Sequence, residues 1–279
     1  MSGIDSQQQK AIARQHAWTS RLLGVDFMPA GRSPLAVTAA SPRPVVTVAE
    51  RQAARLDCDM FQGSDRGAVA SAAQSDRAPL SRDEKRNLLD ELRQRHDASC
   101  PHCTVATYHS RTVFGEGDPD ARLMFIGEAP GEDEDRTGRP FVGRAGQKLN
   151  EIIKAMGFNR EQVYIANVLK SRPPENRTPL PNEVAGCSPF LREQVRIIQP
   201  AAIVALGGPA SKMLLKTEIG ITRLRGQWGV YNDGTTPVPV MPTFHPAYLL
   251  RNYTKETRQQ MWSDMQAVLQ RLQAAATAS

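Results

Sequence analysis

The sequence predicts an α/β domain with a largely parallel sheet, preceded by a long segment that contributes little to a core. Along residues 81–279, short apolar segments typical of buried strands alternate with amphipathic helical segments. Most of residues 1–80 lacks such periodic segments. We therefore expect one folded domain from about residue 81, with ligands bound beyond the C-terminal ends of its strands.

The helices and strands of this domain follow from hydrophobic periodicity and from capping and turn residues. In chain order, the predicted elements are a helix from the Ser81–Glu84 capping box to Arg95, a strand at Leu123–Ile126, a helix with apolar residues from Ala145 to Met156, a strand at Val163–Val168, a helix from Val184 to Ile198, a strand at Ala202–Leu206, a short helix after Gly207-Gly208, strands at Trp228–Tyr231 and Val238–Met241, and a terminal helix from Trp262 to Leu272.

The N-terminal segment, residues 1–80, is expected to be mostly disordered. From Pro29 to Pro79 it is rich in Ala, Ser, Pro and Arg, so folding would bury too little apolar surface to offset the lost entropy. Before that stretch, Gln7–Leu23 can form a short helix with an apolar face. Two interpretations stay open for it: a frayed terminal helix, or a peptide that docks on another protein.

Composition restricts the class of protein. The 279 residues carry a formal net charge of +6, which suits a polyanionic partner without requiring one. The sequence has no apolar run near the roughly 18 residues of a membrane span, and no secretory signal pattern, so we expect a cytoplasmic protein. Four cysteines in so long a chain do not form a disulfide scaffold, and they indicate metal or redox roles.

A glycine-bounded loop, Gly127–Gly131, directly follows the first predicted strand and precedes four consecutive acids, Glu132–Asp135. It lacks the Lys-Ser/Thr of a nucleotide-binding P-loop, and the acids would repel a triphosphate. Such a loop suits a site that stabilises positive charge or positions water. A solvated acidic turn accounts for it equally well.

Two polar residues at strand ends are further candidates. Asn167 ends a predicted strand, and its amide offers the donor and the acceptor needed to read a base edge. His245 precedes a proline after another strand, where it can donate a hydrogen bond to a developing anion. Taken singly, a capping asparagine and a structural histidine are the simpler interpretations.

The cysteines supply a third constellation. Cys100 and Cys103 form a CxxC pair, and Cys187 lies far downstream on a predicted helix. Zinc sites, redox pairs and iron–sulfur clusters all use this spacing. Cys58 lies in the N-terminal segment, where a free surface thiol is the simplest interpretation.

Together and in this order, these motifs resemble the iron–sulfur uracil-DNA glycosylases, the type-4 family. The resemblance runs from about Leu88 to Leu272, and it comprises the motifs GEAPG, GRPFVG, the strand-end Asn, RPPENRTPLP, the cysteines and HPAYLLR. It implies a three-layer α/β/α sandwich with a short, mainly parallel sheet. It also implies hydrolysis of the N-glycosidic bond of deoxyuridine in DNA, which leaves an abasic site and begins base excision repair.

The resemblance implies roles for the residues of a uracil pocket, because the target base must leave the stack to be reached. Phe141 stacks on the uracil, and Asn167 bonds its N3–H and O4. His245 bonds O2 and stabilises the departing uracil anion. Glu128 lies beside the deoxyribose, where it orients water and stabilises the cationic sugar.

Other roles implied by the resemblance concern specificity and DNA binding. Glu134 or Asp135 narrows the pocket beside C5 and excludes thymine. Leu249 enters the gap left by the flipped nucleotide, and Arg251 holds a phosphate together with the Gly127–Gly131 backbone.

One position bears on the mechanism. First-branch uracil glycosylases have an Asp two residues after the opening Gly127, and this chain has Ala129 there. The glycosidic bond is therefore expected to break largely before water adds, with Glu128 acting electrostatically. No basic, histidine-containing insertion follows Asn167, so neither a lasting covalent adduct nor lyase activity is expected.

The cluster ligands depart from the family pattern of four cysteines. Cys100, Cys103 and Cys187 match, but Ser171 replaces the remaining cysteine. Three outcomes stay open for a structural 4Fe-4S cluster: Ser171 ligates iron, water or an open position completes the site, or no stable cluster forms.

The alternatives to this enzyme are a non-catalytic DNA-binding or polymerase-accessory module on the same fold, and a nucleotide-binding protein. Intact Glu128, Asn167 and His245 argue against the module. The expected partner is uracil-containing DNA, single- or double-stranded, bound by a monomer associated with the nucleoid. The N-terminal segment is a candidate docking site for a repair or replication protein.

Overall fold

A six-stranded mixed sheet forms the centre of the domain. The computed structural model describes residues 80–99, 110–233 and 236–277, and within these the strand order is β1-β3-β2-β4-β6-β5. The four inner strands are parallel, and each edge strand pairs antiparallel with its neighbour. The strands are β1 (Glu116–Gly117), β2 (Leu123–Gly127), β3 (Tyr164–Asn167), β4 (Ala202–Leu206), β5 (Gly229–Tyr231) and β6 (Val238–Thr243).

Helices connect these strands and cover both faces of the sheet. Two 3₁₀ turns, at Arg160–Gln162 and Pro174–Asn176, flank β3. The α-helices are α1 (Arg82–Ser99), α2 (Glu132–Thr137), α3 (Arg144–Ala155), α4 (Pro181–Ile198), α5 (Gly208–Leu215), α6 (Ile221–Leu224), α7 (Pro246–Arg251) and α8 (Lys255–Thr277).

The core consists of two apolar clusters, one on each side of the sheet. One face of the strands packs against α1, α4 and α5, and the opposite face packs against α3 and α8. Alternation along β2 explains this division, because Met124 and Ile126 belong to the first cluster and Leu123 and Phe125 to the second. The predicted three-layer α/β/α sandwich with a mainly parallel sheet is confirmed.

The acidic segment after Gly131, expected from the sequence to lie in a turn, forms a six-residue helix. All four acids lie in the first turn of α2, where the positive end of the helix dipole favours them. Gly138 ends the helix with a φ of 73°, the left-handed conformation that glycine adopts without a steric penalty. The acids therefore favour a helix here because they lie in its first turn, close to the unpaired backbone N–H groups.

The C-terminal ends of the parallel strands meet at one edge of the sheet. Gly127 at the end of β2 lies opposite Asn167 at the end of β3, and Leu206 lies opposite Thr243 at the ends of β4 and β6. The loops that follow these strands therefore surround one crevice, the position expected for a ligand site in such a sheet.

Some predictions fall outside the described residues. The Gln7–Leu23 helix, Cys58 and nearly all of residues 1–80 are among them. The described chain begins at Leu80, and the predicted capping box follows at once: Ser81 N donates to Glu84 Oε2 at 2.7 Å. Among the helices that the structure describes, none combines the length and apolar character needed to cross a membrane.

Candidate active site

A cavity of about 630 Å³ opens at the C-terminal edge of the sheet. The loops after β2, β3, β4 and β6 all contribute to its walls. Of the residues predicted for a pocket or DNA contact, those lining it are Glu128, Ala129, Glu134, Phe141, Asn167, His245 and Arg251.

The floor of the cavity depends on a close approach at Gly127. A methyl group at this position would overlap Asn167 Oδ1 and would lie 2.5 Å from Phe141 Cζ. Only a glycine lets the amide of Asn167 and the ring of Phe141 meet above the end of β2. Gly127 thus shapes the pocket through its missing side chain.

Phe141 is held in an uncommon backbone conformation. Its φ is 50°, a left-handed value that phenylalanine rarely adopts. Arg160 Nη1 donates to the Phe141 carbonyl at 3.1 Å and Arg160 Nη2 donates to the Pro140 carbonyl, while Glu116 Oε1 anchors the guanidinium at 2.7 Å. Gly146 leaves the space that the Phe141 carbonyl occupies. Such strain persists only where surrounding contacts impose it.

Asn167 presents an unused acceptor to the cavity. Its side chain is 1% exposed, and Oδ1 has no hydrogen-bond partner among the described residues. Its backbone is fixed from behind, because buried Lys170 donates to the Asn167 carbonyl at 2.8 Å and to Gln194 Oε1 at 2.6 Å. A buried acceptor without a partner is costly unless a ligand donor completes it.

His245 is fixed in one tautomer. It caps the N-terminus of α7, where its Nδ1 accepts a hydrogen bond from Ala247 N at 3.1 Å. Burial lowers the pKa of His245 to about 4; the positive charge of Arg251 adds to this, and Glu134 opposes it. At neutral pH the ring is therefore uncharged, and its single proton is on Nε2, which is left as a donor.

Glu128 is a half-buried carboxylate at the mouth of β2. Its carbonyl accepts from Leu169 N at 3.0 Å, which fixes the backbone of the loop after the strand. Desolvation by burial raises the pKa of Glu128 above its ordinary value. The next residue, Ala129, lines the same wall and brings no ionisable group.

Glu134 and Asp135 were alternative candidates for excluding thymine, and the structure separates them. Glu134 lines the cavity, but its two oxygens accept from Val142 N at 2.8 Å, Gly143 N at 2.9 Å and Gly131 N at 3.1 Å. The Glu134 carboxylate thus joins the two loops that carry Glu128 and Phe141.

Asp135 points away from the cavity and was a wrong candidate for the pocket wall. Its Oδ1 accepts from Ser110 N at 2.8 Å and Arg111 N at 3.1 Å, and its side chain is 6% exposed. One residue along a helix corresponds to a turn of about 100°, which directs Asp135 to a different side of α2 from Glu134.

Leu249 was predicted to enter the DNA, and its placement opposes that role. It is 2% exposed and packs in the core cluster with α3 and α8. On the same short helix, Tyr248 is 37% exposed and Leu250 is 36% exposed, while Arg251 lines the cavity and is exposed. A side chain buried in the core cannot be inserted between bases without unpacking α7.

The predicted roles omitted the loop between β3 and α4, which also lines the cavity through Pro173, Asn176 and Arg177. Asn176 has a φ of 55° and accepts from Arg172 Nε at 2.9 Å. Arg177 forms a two-pronged ion pair with Glu183, at 2.9 and 2.6 Å. The RPPENR motif indicated that this loop belongs to the family pattern, but the motif alone did not show which of its residues line the cavity.

The predicted cluster ligands are described only in part. Cys100 and Cys103 lie outside the described residues. Cys187 is 2% exposed on α4, and Ser171 is 2% exposed in the loop after β3. Among the described residues, which do not include Cys100 and Cys103, no three His, Cys, Asp or Glu side chains are grouped to hold a metal.

The described cavity defines a class of site. It combines an aromatic ring, an amide whose acceptor is unpaired among the described residues, a neutral imidazole donor and a carboxylate. All four lie at the C-terminal edge of the α/β sheet. A flat ring with its own donors and acceptors, such as a nucleobase, is the ligand that this combination suits.

Comparison with known proteins gives the family. The model of the uracil DNA glycosylase superfamily matches residues 114–266. A type-4 uracil-DNA glycosylase of Thermotoga maritima is 45% identical over 182 residues, or 65% of this chain and 93% of that protein. A type-4 enzyme of Archaeoglobus fulgidus is 38% identical over 184 residues, 64% of this chain and 91% of its own.

A more distant relative is a type-5 uracil-DNA glycosylase of Pyrobaculum aerophilum, which is 34% identical over 158 residues, 51% of this chain and 69% of that protein. The chain belongs to the uracil-DNA glycosylase superfamily and, within it, to the type-4 family.

Proposed function

We propose that the cavity at the C-terminal edge of the sheet is a uracil pocket. The chain hydrolyses the N-glycosidic bond of deoxyuridine in DNA, leaves an abasic site and so starts base excision repair. The observation that carries this is the presence in one cavity of Asn167 Oδ1, a buried acceptor without a partner among the described residues, and His245 Nε2, a fixed neutral donor. Uracil offers the complementary N3–H donor and carbonyl acceptors.

Recognition of the base follows from three side chains. Phe141 provides a flat apolar surface on which a flipped base stacks. Asn167 accepts from N3–H and donates to O4, a pattern that cytosine does not match because it has an unprotonated N3 and an amine. Ala129 and the backbone near Gly127 complete the walls.

Bond cleavage places negative charge on the uracil and positive charge on the sugar. His245 Nε2–H donates to O2 and stabilises the uracil anion, the action of a preorganised donor at developing charge. Glu128, whose carboxylate is half-buried, stabilises the cationic sugar and orients the water that adds to it. Because Ala129 supplies no base, cleavage precedes water addition, and no lysine is among the described residues that line the cavity, so no lyase step is expected.

DNA binding outside the pocket is assigned to exposed residues near its mouth. Arg251 lines the cavity, is exposed and carries charge suited to a phosphate beside the flipped nucleotide, whereas Arg177, which also lines the cavity, is paired with Glu183. Leu250, exposed on α7, replaces Leu249 as the residue that fills the vacated stack. The enzyme acts as a monomer on single- or double-stranded DNA at the nucleoid, and residues 1–80 dock a repair or replication protein.

A 4Fe-4S cluster is assigned to the side of the sheet that carries α1 and α4. Cys187 would hold it together with Cys100 and Cys103, and Ser171 occupies the position of the family's remaining cysteine. The donor set suits iron and sulfide because thiolates are soft ligands. When bound, the cluster supplies structural cross-links, since hydrolysis of the glycosidic bond needs no electron.

An oligonucleotide cleavage assay tests the function. The protein is incubated with U·G, U·A, single-stranded U, hypoxanthine, T·G and undamaged substrates, and abasic sites are then cleaved with alkali. Strand breaks are expected only with uracil, and none before the alkali step. Tight binding of uracil-containing DNA without breaks would instead identify a non-catalytic module and overturn the proposal.

A further inference from the structure

His96, near the C-terminal end of α1, has a buried ring nitrogen that lacks a partner. The side chain is 0% exposed, and Nε2 makes no hydrogen bond within the part of the chain that the structure describes. The ring packs edge-on against Phe190, with centroids 4.8 Å apart. Buried polar atoms are nearly always paired, so an unpaired one points to a missing group.

The other ring nitrogen determines what kind of group is missing. His96 Nδ1 lies 3.1 Å from Asp97 Oδ1, and the same oxygen accepts from Thr112 Oγ1 at 2.8 Å. Because a carboxylate only accepts, the ring proton is on Nδ1 and Nε2 carries a free lone pair. A carboxylate behind the second nitrogen is the usual arrangement of histidines that bind metals.

Contacts of the His96 ring lead to one predicted cluster ligand on α4. Phe190, which the ring touches, is three residues from Cys187 and therefore on the same face of the helix. In sequence, Cys100 follows His96 by four residues.

A second set of contacts leads to the serine position. The His96 ring lies 5.9 Å from the ring of Phe114, and Lys170 Nζ lies 5.7 Å from that same ring. Val113 N donates to the Lys170 carbonyl at 2.7 Å, and the next residue is buried Ser171. The free lone pair of His96 is therefore in the region where the chain lacks the family's cysteine.

We propose that His96 Nε2 binds an iron of the cluster in place of the thiolate that Ser171 does not supply. This inference rests on the proposed cluster and deepens it. Imidazole replaces cysteine at iron in other iron–sulfur proteins, where it raises the reduction potential. A neutral imidazole binds without losing a proton, whereas the hydroxyl of Ser171 must be deprotonated first.

Pulsed electron paramagnetic resonance on the full-length protein tests this ligand. The protein is purified without oxygen, with ¹⁵N-labelled histidine, and is reduced radiolytically in frozen solution. The wild type should show a nitrogen coupling of the strength of a directly bound imidazole. His96→Leu should lose it, while His102→Gln and His109→Gln, matched controls from the segment around the CxxC pair, should keep it.

Ser171→Cys gives an independent test that does not require the His96 variant to fold. A fourth thiolate should abolish the nitrogen coupling, and Ser171→Cys/His96→Leu should keep the iron content of Ser171→Cys. An unchanged coupling in Ser171→Cys, or iron-loaded wild type without any strong nitrogen coupling, would overturn the role of His96.

Failure of the cluster proposal gives a different result. Wild-type protein purified without oxygen and containing negligible iron and acid-labile sulfide has no cluster, and His96 then has no iron to bind. Uracil excision measured on the same preparations reports on the enzyme function separately, because none of the described residues of the cluster region, His96, Ser171 and Cys187, lines the cavity.

Discussion

The proposed uracil pocket and the region around His96, Ser171 and Cys187 differ in how their polar groups are held. In the pocket, strand register does most of the positioning: Gly127 faces Asn167 in the parallel ladder, and β6 ends two residues before His245. Around Cys187, the groups come from two helices and a loop, and aromatic rings connect them.

This difference separates a preorganised site from one that needs a bound group. Hydrogen bonds from Lys170, Ala247 and backbone amides fix the pocket before any base arrives. Each region keeps one buried polar atom unpaired within the described residues, Asn167 Oδ1 in the pocket and His96 Nε2 in the other, but paired strands fix the backbone of Asn167, whereas His96 lies near the end of α1. Substitutions in the first region should therefore change catalysis with little effect on folding, and substitutions in the second should change stability and metal content.

The largest effect is expected for His245→Leu. Loss of the donor to uracil O2 should lower the single-turnover rate of uracil excision about 10²- to 10³-fold, the usual cost of removing one anion-stabilising donor. The melting temperature should fall by only about 2–4 °C, because the variant also loses the Nδ1 cap on α7, a cost of about 1 kcal/mol. The control His16→Leu lies outside the family resemblance and should retain the wild-type rate. A His245→Leu enzyme within threefold of wild type would remove His245 from the anion site.

The second largest effect is expected for Asn167→Asp. Its rate of uracil excision should be about 5- to 150-fold lower than that of the wild type, because one good base-edge contact contributes about 1–3 kcal/mol. The variant should begin to excise cytosine, since a carboxylate accepts from the cytosine amine. The matched control, Asn159→Asp, keeps a good cap on an exposed 3₁₀ turn. Uracil excision at the wild-type rate in Asn167→Asp would contradict the proposed pocket.

Cys187→Ala tests the proposed cluster region, on the face of the sheet that packs against α1 and α4. We expect it to lower iron content and to destabilise the protein by at least about 2 kcal/mol, roughly 4–8 °C in melting temperature, as metal-coupled folding requires. Excision by the fraction that remains folded should be preserved. Ser188→Ala, at the exposed neighbouring position, is the control. Equal iron and equal stability in both variants would assign Cys187 to the ordinary core.

A smaller change separates two adjacent leucines. Leu250→Ala should lower excision several-fold from duplex DNA and less from single strands, because only the duplex has a stack to fill. Leu249→Ala should instead destabilise the fold by about 2–5 kcal/mol, the cost of truncating a buried leucine. Melting curves and excision rates of both variants decide the assignment. The reverse pattern would restore Leu249 as the residue that enters DNA.

The smallest effect concerns pH. Because burial raises the pKa of Glu128 and lowers that of His245 to about 4, the acid limb of the excision rate should belong to Glu128 and should vanish in Glu128→Gln. Stability depends on pH at the same residue. His245 is protonated below about pH 6.5 in the unfolded chain but only below about pH 4 in the folded chain, so the free energy of unfolding decreases as the pH falls from 6.5 to 4. An acid limb that persists in Glu128→Gln would contradict the assignment.

Most of the fold could be predicted because the apolar residues of its long helices and strands recur with clear helical or strand patterns. The stripe on α4 and the apolar run of β4 need no tertiary information. The short helices were missed since α2 is only six residues long and consists largely of acids. Its stability comes from its position in the fold, with Asp135 and Glu134 accepting from distant backbone amides.

The sequence by itself determined the family, the order of the long helices and of every strand except β1, and the set of residues at the ends of β2, β3 and β6. Only the tertiary structure decided which side chains point into the cavity. It separated Glu134 from Asp135 and Leu249 from Leu250. The reason is geometric: neighbours on a helix differ by about 100° in direction, so a motif can identify the turn of the helix without identifying its buried face.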